Sequence, residues 1–435
     1  MFGTDGIRGV VDKDIDTSLA YLIGKAISLY ITKYNCRKEV IVGFDTRVSN
    51  HALTYALASG VLDYGINVSV VGVVPTAAIS YLARNNNAMG VMITASHNSK
   101  EYNGIKIINN DGYKLDKTTE LTLEKLCKKK IKKPFNKGKL TFENKYIKTY
   151  LEHLNKYFNN LASSYNVVFD TAHGANYDIT KLALKNTCVK YKVINDKPNG
   201  LNINDNVGAE YISILQQHLS HIDNCLGFAF DGDADRLRVV DSSGYIYSGD
   251  EIIYIFAQYL KKINKLYRNT VVGTVITSKS LEVSLNNIGI KLVRVPVGDK
   301  NVIECMKTEG YALGGEESGH ICLLEYNTTS DALFNAMYLL KVIKYYNKPL
   351  KYLLKRYKKF DRLSHNISVS NEYKTTFYSN IRLQKVLQDY ILNHSNYSII
   401  VRPSGTENVI RVVVEGDKLG FDKIIKDISS LLIEK

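Results

Sequence analysis

Tryptophan is absent from the 435 residues and proline occurs only six times, against 31 tyrosines. That bias reflects drift toward Lys, Asn and Tyr and separates no function class from another. Long apolar runs are missing too. No stretch approaches the ~20 residues that a membrane-crossing helix requires. The opening MFGTDGIRG has no basic flank leading into an apolar core, so no secretory signal is expected. The six cysteines, at positions 36, 127, 188, 225, 305 and 322, include no C-x-x-C pair. Scattered thiols of this kind suit a reducing cytoplasm and argue against zinc ribbons and disulfide scaffolds. Acidic residues are in deficit, 43 against 57 Lys and Arg, for a net charge of +14. The excess is spread along the chain apart from KKKIKKPFNKGK, Lys128 to Lys139, where Phe135 is the lone aromatic. Without interleaved aromatics this run reads as a solvated linker, and neither nucleic acid nor a membrane is expected as a partner.

What remains is an ordinary globular composition, 45% hydrophobic and 23% charged. The length predicts two to four domains, each with its own core. Residues 18–34 have the periodicity of an amphipathic helix. EVIVGFD (39–45) reads as a strand, followed by a helix near 50–64 and a strand at 66–74. Pro75 opens a further helix to about Arg84, and AMGVMI (88–93) is a strand again. These short apolar runs do not alternate with polar residues, which predicts α/β layers with strands buried on both faces. After the lysine-rich run the grammar recurs. YNVVFDTAHGAN (165–176) and CLGFAFDGDADRLRVVD (225–241) form a second unit. TVVGTVITS, KLVRVPVG and YALGGEESGH form a third from about 250, and a last part begins near 365. The expected boundaries are 1–145, 146–248, 249–362 and 363–435. Ligands in open α/β sheets bind beyond the carboxyl ends of the strands, and every chemically unusual loop stands at such an end.

In GVMITASHNSKEYNGIKII (90–108) the apolar run breaks at TASHN. Adjacent residues of an extended segment point to opposite faces, so Ser96 and His97 are poorly placed as nucleophile and base for each other. DGDADR offers Asp231, Asp233 and Asp235 two positions apart. Carboxylates so close repel and shift one another unless a cation sits among them, and an all-oxygen set favours Mg²⁺, Mn²⁺ or Ca²⁺ over zinc. RPSGTEN (402–408), followed by Arg411, combines guanidinium forks, hydroxyls and amides into an anion cradle. GGEESGH (314–320) mixes acceptors and donors that suit a polyhydroxylated ligand such as a sugar, and FGTDGIRG sets Arg8 among glycines. A metal, two anion sites and a sugar site give Ser96 another task, that of carrying a phosphoryl group. A phosphoserine brings nearly two negative charges, which the three aspartates tolerate only with a divalent ion between them.

The four loops TASHN, DGDADR, GGEESGH and RPSGTEN, in this order, resemble those of the α-D-phosphohexomutases along essentially the whole chain. FGTDGIRG and EYNTTSDAL (325–333) are most similar to the bacterial branch acting on glucosamine phosphates. The resemblance implies four domains, three similar α/β domains and a smaller C-terminal α+β domain around a central cleft. It implies an isomerase using one Mg²⁺ and a glucosamine 1,6-bisphosphate intermediate that also serves as activator, in a cytoplasmic enzyme for which a homodimer is compatible. Carried onto this chain, Ser96 becomes the phosphoserine and a metal ligand with Asp231, Asp233 and Asp235. Lys106 and His97 become acid/base candidates, and Arg8 and Arg236 stabilise the charge in transfer. Lys106 serves as a base only if its surroundings lower its pKa. Glu316, Ser318 and His320 meet sugar hydroxyls, and Arg402, Ser404, Gly405, Thr406 and Arg411 hold the phosphate that is not reacting. Some positions depart from the family pattern: Ser99, His173, Glu317, Ser330, Ala332 and Asn408, and Ala234 where a glycine is usual. If position 234 needs a positive φ, alanine strains the loop. A carboxylate at 317 would favour a substrate ammonium. Three rivals are a mannose- or glucose-phosphate mutase, a phosphatase forming an aspartyl phosphate on Asp231, and a non-catalytic binder of phosphosugars or nucleic acid.

Overall fold

The computed structural model describes residues 1–3, 5–34, 36–404 and 407–433, and four β-sheets are found among them. In the first, the strands Met89–Ile93, Glu39–Phe44, Asn67–Val73 and Leu140–Phe142 run parallel; the first three are largely buried, as expected, and the edge strand Leu140–Phe142 is exposed. Tyr102–Ile108 and then Ile7–Val10 are added antiparallel at one edge. The second sheet runs Ile246–Tyr247, Leu237–Asp241, Cys225–Phe230, Asn166–Asp170, Tyr191–Ile194. The third runs Lys291–Val295, Thr270–Thr274, Leu313–Gly315, Ile321–Leu323. The fourth is smaller and wholly antiparallel, with Val409–Gly416 between Asp361–Ser368 and Ser398–Pro403. The three mixed sheets with helices, and the small C-terminal sheet, are the predicted fold class.

Each of the first three domains buries a core of its own, with Ile27, Val42 and Leu57 in the first, Val168, Leu215 and Ala229 in the second and Val272, Val302 and Met306 in the third, and beside these lies a larger core that all three share. One continuous core runs from Ile41, Ile79 and Met92 through Phe169 and Phe228 to Phe334 and Tyr338. The helices Asn144–Phe158 and Ala332–Tyr346 join it, with the Phe158 and Phe334 rings 4.8 Å apart and the Tyr150 hydroxyl donating to Asp331 at 2.7 Å. Apolar faces of three layers thus cover one another, and this fixes how their loops meet. The C-terminal sheet has a separate core of Ile367, Leu387, Ile410, Val414 and Ile428. It docks through buried Glu415, which accepts from Lys279 N at 2.7 Å, Ser280 N at 2.9 Å and Ser280 Oγ at 2.6 Å. Residues 129–139 form no helix or strand, and Phe135 is fully exposed, as a solvated linker requires.

Removing a shared ring should weaken the three layers together. Phe334→Ala is expected to cost about 3–5 kcal/mol. Hydrogen exchange should show protection falling in all three mixed sheets while the strand Val409–Gly416 keeps its own.

Candidate active site

The strand Met89–Ile93 delivers the TASHN loop, and a buried polar scaffold shapes it. Asp45 accepts from Thr94 Oγ1 at 2.6 Å, and Thr94 Oγ1 in turn accepts from the Ser96 amide at 2.9 Å. Arg47, one of the largest fully buried side chains, donates to the carbonyls of Ser96 at 3.1 Å, Asn98 at 2.7 Å and Tyr102 at 2.9 Å. Asn204 of the second domain adds bonds to the Ser96 and Asn98 carbonyls at 2.8 and 3.0 Å. Turning carbonyls inward onto a guanidinium leaves Ser96 at φ 51, in the left-handed region. That conformation corrects the adjacency argument. The segment is not extended at Ser96, and its Oγ lies 3.4 Å from His97 Nδ1. Neither Arg47 nor Asn204 was legible as a functional residue. The only trace of Arg47 is an arginine at the tip of an apolar strand.

Ser96 Oγ donates to Asp231 Oδ2 at 2.7 Å across 135 positions of sequence. The contact needs Gly232, because a Cβ there would lie 2.6 Å from the Ser96 carbonyl oxygen. Asp231 Oδ1 accepts from the amides of Asp235 and Arg236, both at 3.1 Å, so the loop wraps its own first aspartate. Thr76, opening the helix Thr76–Asn86, donates through Oγ1 to Asp233 Oδ2 at 2.6 Å. Ser330 Oγ donates to the Asp235 carbonyl at 2.6 Å, so the departure at 330 braces the loop. Asp231, Asp233 and Asp235 each turn an oxygen into a cluster within 4.8 Å, and Asp233 Oδ1 is buried with no partner. An orphaned carboxylate oxygen amid hard oxygen donors fits a divalent cation.

The charges around this cluster are strongly perturbed. Burial, with Asp235 and Asp233 nearby, pushes the Asp231 carboxyl up to about 8. Lys106 is buried between Asp233 at 2.8 Å, Asp235 at 3.1 Å and Asp5 at 2.8 Å. Burial alone would lower its pKa, but the three carboxylates win and hold the ammonium well above its ordinary value. The lowered pKa that a base needs is therefore not what this environment produces. Burial also disfavours the His320 imidazolium, yet Asp235, 2.8 Å from Nε2, pushes it up to about 9. His97 goes the other way, down to about 4, through burial and the charge of Arg236.

In front of these groups opens a cleft of about 580 Å³. Arg8, His97, Arg236, Glu316, Ser318 and His320 line it, so six of the expected residues from three domains converge. Ser96, Lys106 and the three aspartates lie directly behind that wall, all nearly inaccessible. Arg8 donates to Asn98 at 2.9 Å and Asp5 at 2.9 Å, and Arg236 pairs with Glu210. Glu317 lies in the cleft as well, but its carboxylate is engaged by Arg362, which stands on the strand Asp361–Ser368 of the C-terminal sheet. Arg402, Ser404 and Arg411 do not line the cleft. Arg402 and Arg411 face each other in register across two strands, and Arg402 Nε is buried without a partner. Like charges placed directly opposite are unfavourable unless an anion joins them. Gly405 and Thr406 lie outside the described residues.

The phosphoglucomutase/phosphomannomutase patterns match in order, α/β/α domain I at residues 1–134, domain II at 145–244, domain III at 248–360 and the C-terminal domain at 390–420. The chain belongs to this phosphohexomutase family. Phosphoglucosamine mutase of Clostridium kluyveri is 37% identical, covering 99% of this chain and 98% of that protein. Phosphoglucosamine mutase of Clostridium botulinum strain Alaska E43 is 35% identical over 100% of this chain and 99% of its own length. Among solved structures, a phosphoglucomutase/phosphomannomutase family protein of Burkholderia thailandensis has a TM-score of 0.82 at 21% identity, covering 99% and 98% of the two chains. Aspergillus fumigatus N-acetylphosphoglucosamine mutase, solved with GlcNAc-6P and magnesium, has a TM-score of 0.72 at 15% identity, with 100% and 95% covered.

Ala234 adopts φ 57, so the anticipated strain in DGDADR is present. An alanine in that region costs about 1–2 kcal/mol, offset in part by the unfolded-state entropy of glycine. Ala234 is also fully buried in the shared core, so Ala234→Gly gives up a methyl worth about 0.8 kcal/mol as it relieves the strain. Its Tm in a thermal melt should stay within about 4 °C of the parent.

Proposed function

We propose that this chain catalyses the phosphoglucosamine mutase reaction. It would interconvert glucosamine 6-phosphate and glucosamine 1-phosphate through a phosphoserine at Ser96 and glucosamine 1,6-bisphosphate. The observation that carries the reading is the 2.7 Å contact of Ser96 with a trio of buried aspartates that includes an unpartnered oxygen. Identity of 35–37% over nearly the whole chain to proteins of that name supports the glucosamine assignment.

In this reading Asp231, Asp233 and Asp235 hold one Mg²⁺ with the phosphorylated Ser96. When bound, that ion offsets the charge of the phosphoserine and polarises its phosphorus for in-line attack. The other parts belong to the chain. Arg8 and Arg236 flank the reacting phosphoryl group from the cleft wall. Lys106, held as an ammonium, donates a proton to the departing serine oxygen. His97, neutral because burial lowers its pKa, takes the proton of the attacking sugar hydroxyl, and the reverse transfer returns both protons. Glu316, Ser318 and His320 orient that sugar. Arg402, Ser404 and Arg411, with Gly405 and Thr406, grip the phosphate that is not reacting, and this requires the C-terminal domain to swing toward the cleft. Turning the bisphosphate end over end then exchanges the two phosphates. The reading carries with it a cytoplasmic location and a role in supplying aminosugar precursors of peptidoglycan.

A coupled mutase assay with Mg²⁺ and a trace of the bisphosphate tests it. The parent should turn over glucosamine 6-phosphate with at least about tenfold higher kcat/KM than glucose or mannose phosphates, a difference of about 1.4 kcal/mol. Ser96→Ala should be at background. A preference for another hexose phosphate would remove the glucosamine assignment. A hydroxylamine-labile phosphate on Asp231 would replace the mutase with a phosphatase.

A further inference from the structure

In the cleft wall and behind it, charged groups from three domains form a ring closed through one stretch of backbone. Lys114 pairs with Asp299 at 2.6 Å and also with Asp5. Asp5 pairs with Lys106 at 2.8 Å, and Lys106 with Asp235 at 3.1 Å. Asp235 meets His320 at 2.8 Å, His320 lies 3.7 Å from Glu316, and Glu316 accepts from the Gly298 amide at 3.2 Å. Gly298 is bonded to Asp299, and the circuit is complete.

Lys114 is the one cation in this ring that joins the first domain directly to the third. Its side chain is only 13% accessible, and it opens on a separate cavity of about 270 Å³ at the back, away from the cleft. Asp5 and Asp299, by contrast, line the cleft itself. Asp5 also binds Arg8 at 2.9 Å, so the two cations nearest the reaction share a single carboxylate with Lys114. We propose that Lys114 is a positioning residue for phosphoryl transfer. By neutralising Asp5 and Asp299 together it clamps the third domain's Gly298–Asp299 turn to the first domain. It also keeps Asp5 from drawing Arg8 and Lys106 out of line. A part-buried carboxylate such as Asp5, when it loses one of its counter-charges, takes a larger share of those that remain. Here the remaining ones are the groups that must face the phosphoryl oxygens.

This role rests on the proposed mutase reaction, so parent and variants are assayed together on glucosamine 6-phosphate, per folded molecule below the melting midpoint. Lys114→Met should lower kcat about 100-fold, the scale on which small misplacements act, with KM changed less than about threefold. Lys114→Arg should recover about tenfold of that loss. Asp299→Asn alone should cost about tenfold in kcat, and Lys114→Met/Asp299→Asn should be no worse than Lys114→Met. Losses that multiply in the double variant, or a folded Lys114→Met with parental kcat, overturn the inference while leaving the mutase reading intact. If Lys114→Met does not fold, Asp299→Asn with parental kcat overturns it equally. An inactive parent takes both down.

Discussion

The contact between Ser96 Oγ and Asp231 Oδ2 joins loops that belong to different sheets and lie 135 residues apart. Little in the surroundings lets that contact slip. Arg47 and Asn204 pin the serine loop from below, Gly232 admits the close approach, and Thr76 and Ser330 hold the aspartate loop from either side. A core shared by the first three domains makes the meeting a property of the fold rather than of one loop. The chemistry depends on that rigidity, because phosphoryl transfer gives the protein little to do beyond positioning and charge compensation.

Charge compensation is where the site departs most from a resting protein. The carboxylates at 231 and 235 are driven apart in behaviour. Asp231 is pushed toward its neutral form by burial, and Asp235 is kept ionised by Lys106 and His320 despite burial. Such opposed environments within one loop mark functional clusters. The C-terminal domain sets two like charges in register, Arg402 against Arg411, with Glu407 3.4 Å from Arg411. Its core is separate from the shared one, and it meets the third domain through Glu415.

The strands and their polar tips were legible because buried parallel strands leave continuous apolar runs, as in Glu39–Phe44 and Met89–Ile93. DGDADR was legible because its spacing alone concentrates charge, and the strain at Ala234 because one side chain stands where a positive φ disfavours it. Arg47, Asn204, Asp5, Lys114 and Asp299 were not legible. Each acts through partners that are mostly tens to hundreds of positions away, and nothing local distinguishes such a residue from a surface charge. The surroundings of Lys106 were hidden for the same reason, since three carboxylates from two other loops decide its charge. The shared core escaped prediction because apolar periodicity shows that a face is covered but not by what.

In the proposed mutase reaction one balance of charge is decisive: a divalent ion would make a dianionic ester on Ser96 compatible with the three acidic side chains around it. Titration calorimetry of Mg²⁺ against the chain phosphorylated at Ser96 and against the unphosphorylated chain measures it directly. The phosphorylated form should bind the ion at least about tenfold more tightly, a difference of about 1.4 kcal/mol. Equal affinities, or no Mg²⁺ binding by the phosphorylated chain, would contradict the account.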